Sequence, residues 1–480
     1  MAKRLLVETR PKETRLALVE DGRLLELSIE REAKDTLTGS IFVGRVDNAI
    51  RGMEAAFVDI GLDKNAFLPL EIGENGKKLS VSAGQDVLVQ VVKIPGGEKG
   101  ARLSTEISLP GRMCVLMPNS SYSIGISKRI ESEEERKRLF GIARELVPKD
   151  MALIVRTAAE GAEREALKKD VNTLLCQWED IKRRSQVLKG PALIKRDDDQ
   201  IMRAVRDHLT EDVEEMLFED EEAFHKGLNA CDIISADMKC KLRLSQDEIP
   251  LFKRFSVPSQ IEKALSRRVW LKSGGYLIFD KTEAMTVIDV NSGKYTGNKT
   301  LSDTIFRINM EAAEEIALQL RLRDIGGIII IDFIDMDTAD KKAKLLDFMR
   351  EKLKNDPTHT KLGGITSLGL VELTRKKKRE PIASYLKSPC PVCAGAGEVT
   401  SLESAAYDAA GEIYAKNRAN EGIFLLKASK RVIDAFIEIG FDLTMEAYAL
   451  EDKSLPTHEY TVQKIAKADI TDKMTPIGRR

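Results

Sequence analysis

Apolar and polar residues alternate from the first positions of the chain. The runs RLLVE (4–8), RLALV (15–19) and LLELS (24–28) have strand periodicity, and Glu20-Asp21-Gly22 between the last two predicts a hairpin. From 38 to 109 the runs IFVGRV, EAAFVDIG, NAFLPL, QDVLVQVVKI and ARLSTEIS are parted by Gly, Asp and Asn turns. Five short strands in so short a stretch predict a small barrel of the OB-fold type. Residues 151–156 read as a strand, with helical stretches at 132–146 and 164–188. The run 211–222, eight carboxylates in twelve positions, predicts an acidic helix with a solvated face, or a loop.

Between 270 and 372 the pattern changes. AMTVID (284–289) is an apolar strand running into an acid. A helix over 300–322 follows, with Ile305, Ile308, Ala312, Ile316 and Leu320 at helical spacing, until Asp324-Ile-Gly-Gly breaks it. IIIID (328–332) is a second apolar strand running into an acid, then a helix over 338–353 and a strand near 369–373. Strand, helix and strand in this order predict an α/β unit whose strands are buried on both faces. A basic run (375–379), the motif CPVC (390–393) and a smaller α/β tail from about 400 complete the chain, with no internal repeat.

Composition narrows the class. The 480 residues predict three or four domains, and a hydrophobic fraction of 42% excludes wholesale disorder. No apolar run reaches the roughly 18–20 residues of a membrane span, and the N-terminus lacks the features of a secretory signal. The net charge of −1 argues against a uniformly basic nucleic-acid binder, yet it is a partition. Residues 253–272 hold six bases (Lys253, Arg254, Lys263, Arg267, Arg268, Lys272) against Glu262, and 375–379 hold five more, which predicts a local basic path suited to a polyanion.

Six cysteines are too sparse for a disulfide scaffold and predict a reducing, cytoplasmic compartment. Cys390 and Cys393 alone have metal-ligand spacing. Zn²⁺ takes four ligands, and none of the four His is close in sequence, so a second copy of the chain is the simplest source of the other two. The alternative is a redox pair or two unligated thiols in a turn.

Asp289 and Asp332 each end an apolar strand, and ligands of α/β sheets bind beyond the carboxyl ends of strands. With Asn291 two residues on, they make a hard, oxygen-rich site suited to Mg²⁺ and a phosphate. The alternative is that each Asp caps the loop after its strand; Asp335 and Asp337 are read as caps of the next helix, Asp335 also as a candidate neighbour of the ion. In the barrel, Phe57 and Phe67 are candidates to stack unpaired bases, with Lys99 and Arg102 near enough to hold phosphates; the alternative is that both rings are core. Scattered histidines weigh against paired-histidine ribonuclease chemistry, and neither GxxxxGK[ST] nor a strand-bound GxGxxG occurs.

The motifs DVNSGK (289–294) and LRLRDIGGIIIIDFID (320–335) resemble those of the ribonuclease E/G family of endoribonucleases. FVDIG (57–61), MPN (117–119), IVRT (154–157), GLVELTR (369–375) and CPVC (390–393) match in family order, and the length resembles the shorter, ribonuclease G branch. The resemblance implies an α/β multidomain fold: a ribonuclease H-like domain (1–34 and 202–265) interrupted by an OB-fold barrel (35–108) and a 5′-sensor region (109–201). A deoxyribonuclease-I-like catalytic domain (266–387), a zinc-link (388–399) and a small α/β domain (400–480) follow. It implies Asp289 and Asp332 as magnesium ligands, Asn291 at the scissile phosphate or the attacking water, and cleavage of single-stranded RNA to 5′-phosphate and 3′-hydroxyl ends. Arg156, Thr157, Val115 (by its backbone) and Lys128 would sense a 5′-monophosphate, and Phe57, Phe67 and Lys99 would contact RNA. Cys390 and Cys393 would join two chains through zinc, as a dimer or within a tetramer. The implied substrates are rRNA precursors and mRNA, in rRNA processing and mRNA decay. Gly363-Gly364 and His359 depart from the basic residues frequent there in the family and bear on 5′-end sensing. The rival reading is a non-catalytic RNA-binding scaffold built on the barrel and the basic patches.

Overall fold

Asp21 and Gly22 both take positive φ (47° and 79°), the geometry of a tight two-residue hairpin, and join the strands Glu13–Glu20 and Arg23–Arg31. The expected hairpin is present. In this computed structural model residues 2–31, 37–70, 81–93, 100–120, 123–293, 301–393 and 395–478 are described. They fall into two compact units, Met1–Tyr385 and Leu386–Arg480. The protein is a mixed α/β, multidomain chain.

In the first unit, a five-stranded sheet runs in the order Leu242–Leu244, Val213–Phe218, Lys3–Arg10, Glu13–Glu20, Arg23–Arg31. Lys3–Arg10 lies parallel to Val213–Phe218, so the chain leaves this sheet after residue 31 and returns to it some 180 residues later. The acidic run is therefore not one helix. Val213, Met216, Leu217 and Phe218 are buried, while Glu214 and Glu215 meet Arg4 at 3.0 and 2.7 Å. Of the eight carboxylates only these two lie on the strand; Glu211 and Asp212 precede it, and the helix Glu221–Ile234 begins only after Asp220, whose side chain accepts the N–H of Ala223.

All five strands expected in 38–109 form, and they close. Ile41–Ile50 pairs antiparallel with both Ala55–Asp59 and Asp86–Lys93, and Ala66–Pro69 pairs parallel with Arg102–Ser104. The cyclic order, first-second-third-fifth-fourth, is that of an OB-like barrel, filled by Val46, Val58, Leu68, Val89 and Leu103. A four-stranded sheet follows, with the helices Glu133–Leu146 (capped by Ser132) and Arg164–Val187 close to their expected bounds.

The last sheet of this unit has six strands: Arg268–Trp270, Tyr276–Lys281, Met285–Asn291, Gly327–Asp332, Val371–Arg375 and Thr360–Ile365. Met285–Asn291 and Gly327–Asp332 are parallel and joined by the helix Leu301–Leu322; the other pairs are antiparallel. Thr286, Ile288, Val290, Ile329, Ile331, Val371 and Leu373 face a core shared with Ile308, Ala312, Ile316 and Leu320 of that helix and with Leu345 and Met349 of Ala339–Lys354. The alternate residues are not core: Ile328 is 47% exposed. The expectation of burial on both faces is corrected: among the described residues this sheet carries helices on one face only, and the other stays open.

The second unit packs the helices Leu402–Ala419 and Lys430–Ile439 on a sheet ordered Tyr460–Ile465, Ile423–Ala428, Ala447–Glu451, Thr475–Pro476. No helix of the described residues is long and apolar enough to cross a membrane.

Candidate active site

The open face owes its chemistry to register. Asp289 and Asp332 are partners on adjacent parallel strands, so their Cα atoms lie about 4.8 Å apart across the sheet, and both side chains are exposed. The Asn291 side-chain amide donates to Asp289 Oδ2 at 2.7 Å, which fixes that carboxylate and leaves the second N–H and the amide oxygen of Asn291 to other partners. Just beyond, Gly293 takes φ +61° and a Cβ there would sit 2.3 Å from Gly274 O. The glycine of the DVNSG motif is required by the close approach of the preceding hairpin turn, so the motif shapes the loop as well as the site.

The second acid is held from behind. Asn309, fully buried in Leu301–Leu322, donates to Ile334 O (2.7 Å) and accepts from Ile334 N (3.1 Å). Asp337 is no helix cap; Thr338 caps Ala339–Lys354, and Asp337 accepts from Ser302 Oγ at 2.6 Å and pairs with Lys341. Asp335 stays exposed. Two carboxylates and an amide at a strand edge fit a hard cation that keeps most of its waters, the habit of Mg²⁺. No third carboxylate, His or Cys completes a protein-only cage among the described residues.

Arg156, Thr157 and Lys128 follow the adjacent parallel strands Ala152–Val155 and Ser123–Ile126, and Val115 lies on the next strand opposite Ile154. The structure thus brings these four residues to one sheet end. Lys128 is exposed, and Thr157 Oγ1 is 3.1 Å from Ser127 Oγ. The Arg156 guanidinium donates to Gly111 O and to Asp207 Oδ1, each at 2.6 Å. Burial pushes the Asp207 carboxyl up, but Arg206 and Arg156 outweigh it and hold it below the usual carboxylate range. The Asp170 carboxylate accepts the N–H groups of Arg112, Met113 and Cys114 and so fixes the start of the strand that carries Val115.

Phe57 and Phe67 are register partners on the barrel, half-buried and edge-to-face with centroids 6.1 Å apart, while their neighbours Ala56, Val58, Ala66 and Leu68 fill the interior. The two rings therefore face outward, next to Arg102 in register, and are not core. Lys99 lies outside the described residues. Cys390 is exposed and Cys393 half-buried. The backbone N–H groups of Gly397 and Gly395, with the Cys390 thiol, lower the Cys393 pKa, a polarity that favours the metal-binding thiolate.

The basic path needs correction. Arg375 is 4% exposed and is buried in ion pairs with Asp356 (2.7 Å) and Asp324 (2.9 Å); Arg379 pairs with Glu26 and Asp324. Arg254 pairs with Asp247, and Arg267 with Asp280. Ion pairs with Asp247, Asp280, Asp324, Asp356 and Glu26 neutralise part of each run, which a charge count cannot show. Sequence reasoning also missed Asn309, and it missed the strands 268–270 and 276–281, which carry an aromatic pair onto the same open face. The signal was there in the short apolar and aromatic run YLIF (276–279) after the turn Ser273-Gly274-Gly275.

Residues 108–378 match the family model of the Ribonuclease E/G family. The chain is 41% identical over 452 residues to Ribonuclease G of Escherichia coli (strain K12), an alignment spanning 91% of this chain and 92% of that protein. It is 41% identical over 425 residues to Ribonuclease G of Haemophilus influenzae (85% and 86%), and 38% identical over 417 residues to Ribonuclease E of Escherichia coli (strain K12), there 84% of this chain but 39% of that protein. With the OB-like barrel and the paired-acid sheet edge, these matches place the chain among the endoribonucleases of RNA processing. It belongs to the ribonuclease E/G family, and the matched stretch contains both acids, Asn291 and Arg156.

Proposed function

We propose that the chain is a magnesium-dependent endoribonuclease that hydrolyses single-stranded RNA at the Asp289–Asp332 edge and leaves 5′-phosphate and 3′-hydroxyl ends. The observation that carries this reading is the register of the two exposed carboxylates, with Asn291 bonded to the first. A scaffold that only binds a polyanion is weakened by such a pair unless a cation covers it. Asp289 and Asp332 hold the cation; Mg²⁺ when bound supplies charge stabilisation at the phosphodiester and a water of lowered pKa. Asn291 orients Asp289 and keeps one amide N–H for the substrate.

Arg156, Thr157, Lys128 and the backbone at Val115 take the 5′-monophosphate. Because Asp207 already occupies one edge of the Arg156 guanidinium, phosphate meets its remaining N–H donors, and Lys128 supplies the excess positive charge. Phe57 and Phe67, with Lys99, hold the strand on the barrel. Cys390 and Cys393 bind zinc together with the same pair of a second chain. The substrates are rRNA precursors and mRNA in the cytoplasm, and the working form is a homo-oligomer.

The test is cleavage of a single-stranded RNA with and without Mg²⁺, with 5′-monophosphate and 5′-triphosphate ends compared. Asp289→Asn and Asp332→Asn are each expected to lower cutting about a hundred- to a thousandfold, on the order of losing a principal electrostatic element, while RNA affinity persists. Full cleavage by both variants rejects the metal edge. Binding without cleavage by the unaltered protein supports the scaffold reading instead.

A further inference from the structure

Outside the acid pair, the open face carries one other concentration of chemistry. The edge strand Arg268–Trp270 pairs with Tyr276–Lys281, which pairs with Met285–Asn291. Directly opposed residues of antiparallel strands share a face. Trp270, Tyr276 and Asn291 thus form one row across the sheet, and Arg268, Ile278, Asp289 and Asp332 form the next. Two strand spacings separate Trp270 from Asn291, about 10 Å, within reach of the nucleotide next to a phosphate held at the acids.

Arg268 and Trp270 in these rows are exposed and lie outside the core. Val269, Leu271, Leu277 and Phe279 alternate with them and supply the core, whereas Trp270 is 54% exposed. The only other tryptophan, Trp178, is 7% exposed. Trp270 and Tyr276 meet edge-on with centroids 5.3 Å apart, and the Arg268 guanidinium lies 4.6 Å from the Tyr276 ring and 5.7 Å from that of Trp270. Arg267 is neutralised by Asp280, but Arg268 and the nearby Lys272 have no acidic partner among the described residues. An exposed indole beside a guanidinium held by rings offers a π-face to a base and donors to its phosphate.

We propose that Trp270, with Arg268 and Tyr276, is a base-stacking subsite for the nucleotide flanking the phosphate cut at Asp289 and Asp332. This rests on the proposed cleavage site and extends it: the substrate strand crosses the sheet from the acids toward its edge. Stacking is tolerant of base identity, so the subsite orients the strand without reading a sequence.

The test separates the two readings. In steady-state cleavage of a 5′-monophosphorylated single-stranded oligoribonucleotide, Trp270→Ala is expected to raise KM about tenfold or more with kcat little changed, and Trp270→Phe to restore most of the loss. In the Trp178→Phe, Asp332→Asn protein, Trp270 is the sole tryptophan and the RNA stays intact. Its fluorescence should be quenched by the same RNA, and less so when an abasic nucleotide replaces the one beside the cleavage site. Normal cleavage with unchanged KM for Trp270→Ala, or no quench, overturns the subsite and leaves the acid site standing. A fall in oligomeric mass for Trp270→Ala at unchanged KM overturns it in favour of contact with a second protein chain. Loss of the acid-site reading would show separately, as undiminished cutting by Asp289→Asn and Asp332→Asn.

Discussion

Asn309 stands at a position where helical periodicity calls for an apolar residue, and its amide instead closes both hydrogen bonds of the Ile334 peptide two residues beyond Asp332. Removing it strands a buried N–H and C=O, at a cost of about 1–3 kcal/mol each before relaxation. It also frees the loop that sets the direction of Asp332, and misplacements near 1 Å can cost about a hundredfold in rate. Asn309→Ala is therefore expected to lower the unfolding free energy by a few kcal/mol, on the scale of those two unmade bonds, and to reduce single-turnover cleavage roughly 10- to 100-fold, with RNA affinity nearly unchanged. A variant that is less stable yet cuts at the normal rate shows that the clamp serves folding alone. Asp289 and Asp332 were legible because an apolar strand running into an acid is visible in a string of letters. Asn309 was not, since its role depends on a loop 25 residues away. Nor was the inward turn of Arg375, whose partners Asp356 and Asp324 lie 19 and 51 residues distant.

Elements were read best where one period ran without interruption. Leu301–Leu322 and Ala339–Lys354 match their expected bounds closely because their apolar spacing is regular and a cap or break marks an end. Thr360–Ile365 was missed because Gly363 and Gly364 dilute the strand signal; the Glu372 side chain lies over Gly363, where a Cβ would meet it at 2.5 Å. Val213–Phe218 was misread because acids flank it on both sides and the adjacent Glu214 and Glu215 leave it no alternation; only the partner strand, with Arg4, accounts for them. The strand Arg23–Arg31 meets the helix Leu301–Leu322 through another ionic contact that no local pattern announces. Glu26, 6% exposed, accepts from Arg321 at 3.2 Å and from Arg379 at 2.6 Å. Burial pushes its carboxyl up, but the charges of His208, Arg379 and Arg321 outweigh that and bring its pKa from 4.5 to about 2. A carboxyl depressed on folding stabilises the native state above its unfolded pKa, and that stabilisation is lost as the pH falls toward the folded value. The window here runs from pH 4.5 down to about 2, and the contribution is roughly 3 kcal/mol. Glu26→Gln is expected to be less stable at neutral pH and to show a shallower loss of stability through that window in denaturant melts. Parallel acid profiles for the two proteins would mean that other carboxylates carry the acid sensitivity.

At the scale of the whole molecule, the order of the letters hides the order in space. Lys3–Arg10 and Val213–Phe218 are neighbours in one sheet although a barrel and a four-stranded sheet intervene along the chain, and periodicity carries no information about such a return. The barrel was legible because its strands are consecutive and their pairing is local except for the closing step. The CPVC motif poses the same problem beyond a single chain. Cys390 and Cys393 offer two sulfur ligands, and no group of three or more metal-binding side chains forms among the described residues. A structural zinc site is tetrahedral and closed, so this pair fills half of one and two more ligands must come from elsewhere. If the other pair comes from an identical chain, zinc content and oligomeric mass are tied together. The unaltered protein should then contain about half a zinc per chain, the ratio of one closed four-ligand site to two chains. Cys390→Ser with Cys393→Ser should lose the metal and shift sedimentation to lower mass. Exhaustive chelation of the unaltered protein should do the same, and added Zn²⁺ should reverse it. One zinc per chain would mean that each chain closes its own site with ligands besides these two. An unchanged mass after loss of both thiols would mean that the chains associate through another surface, whether or not zinc is bound.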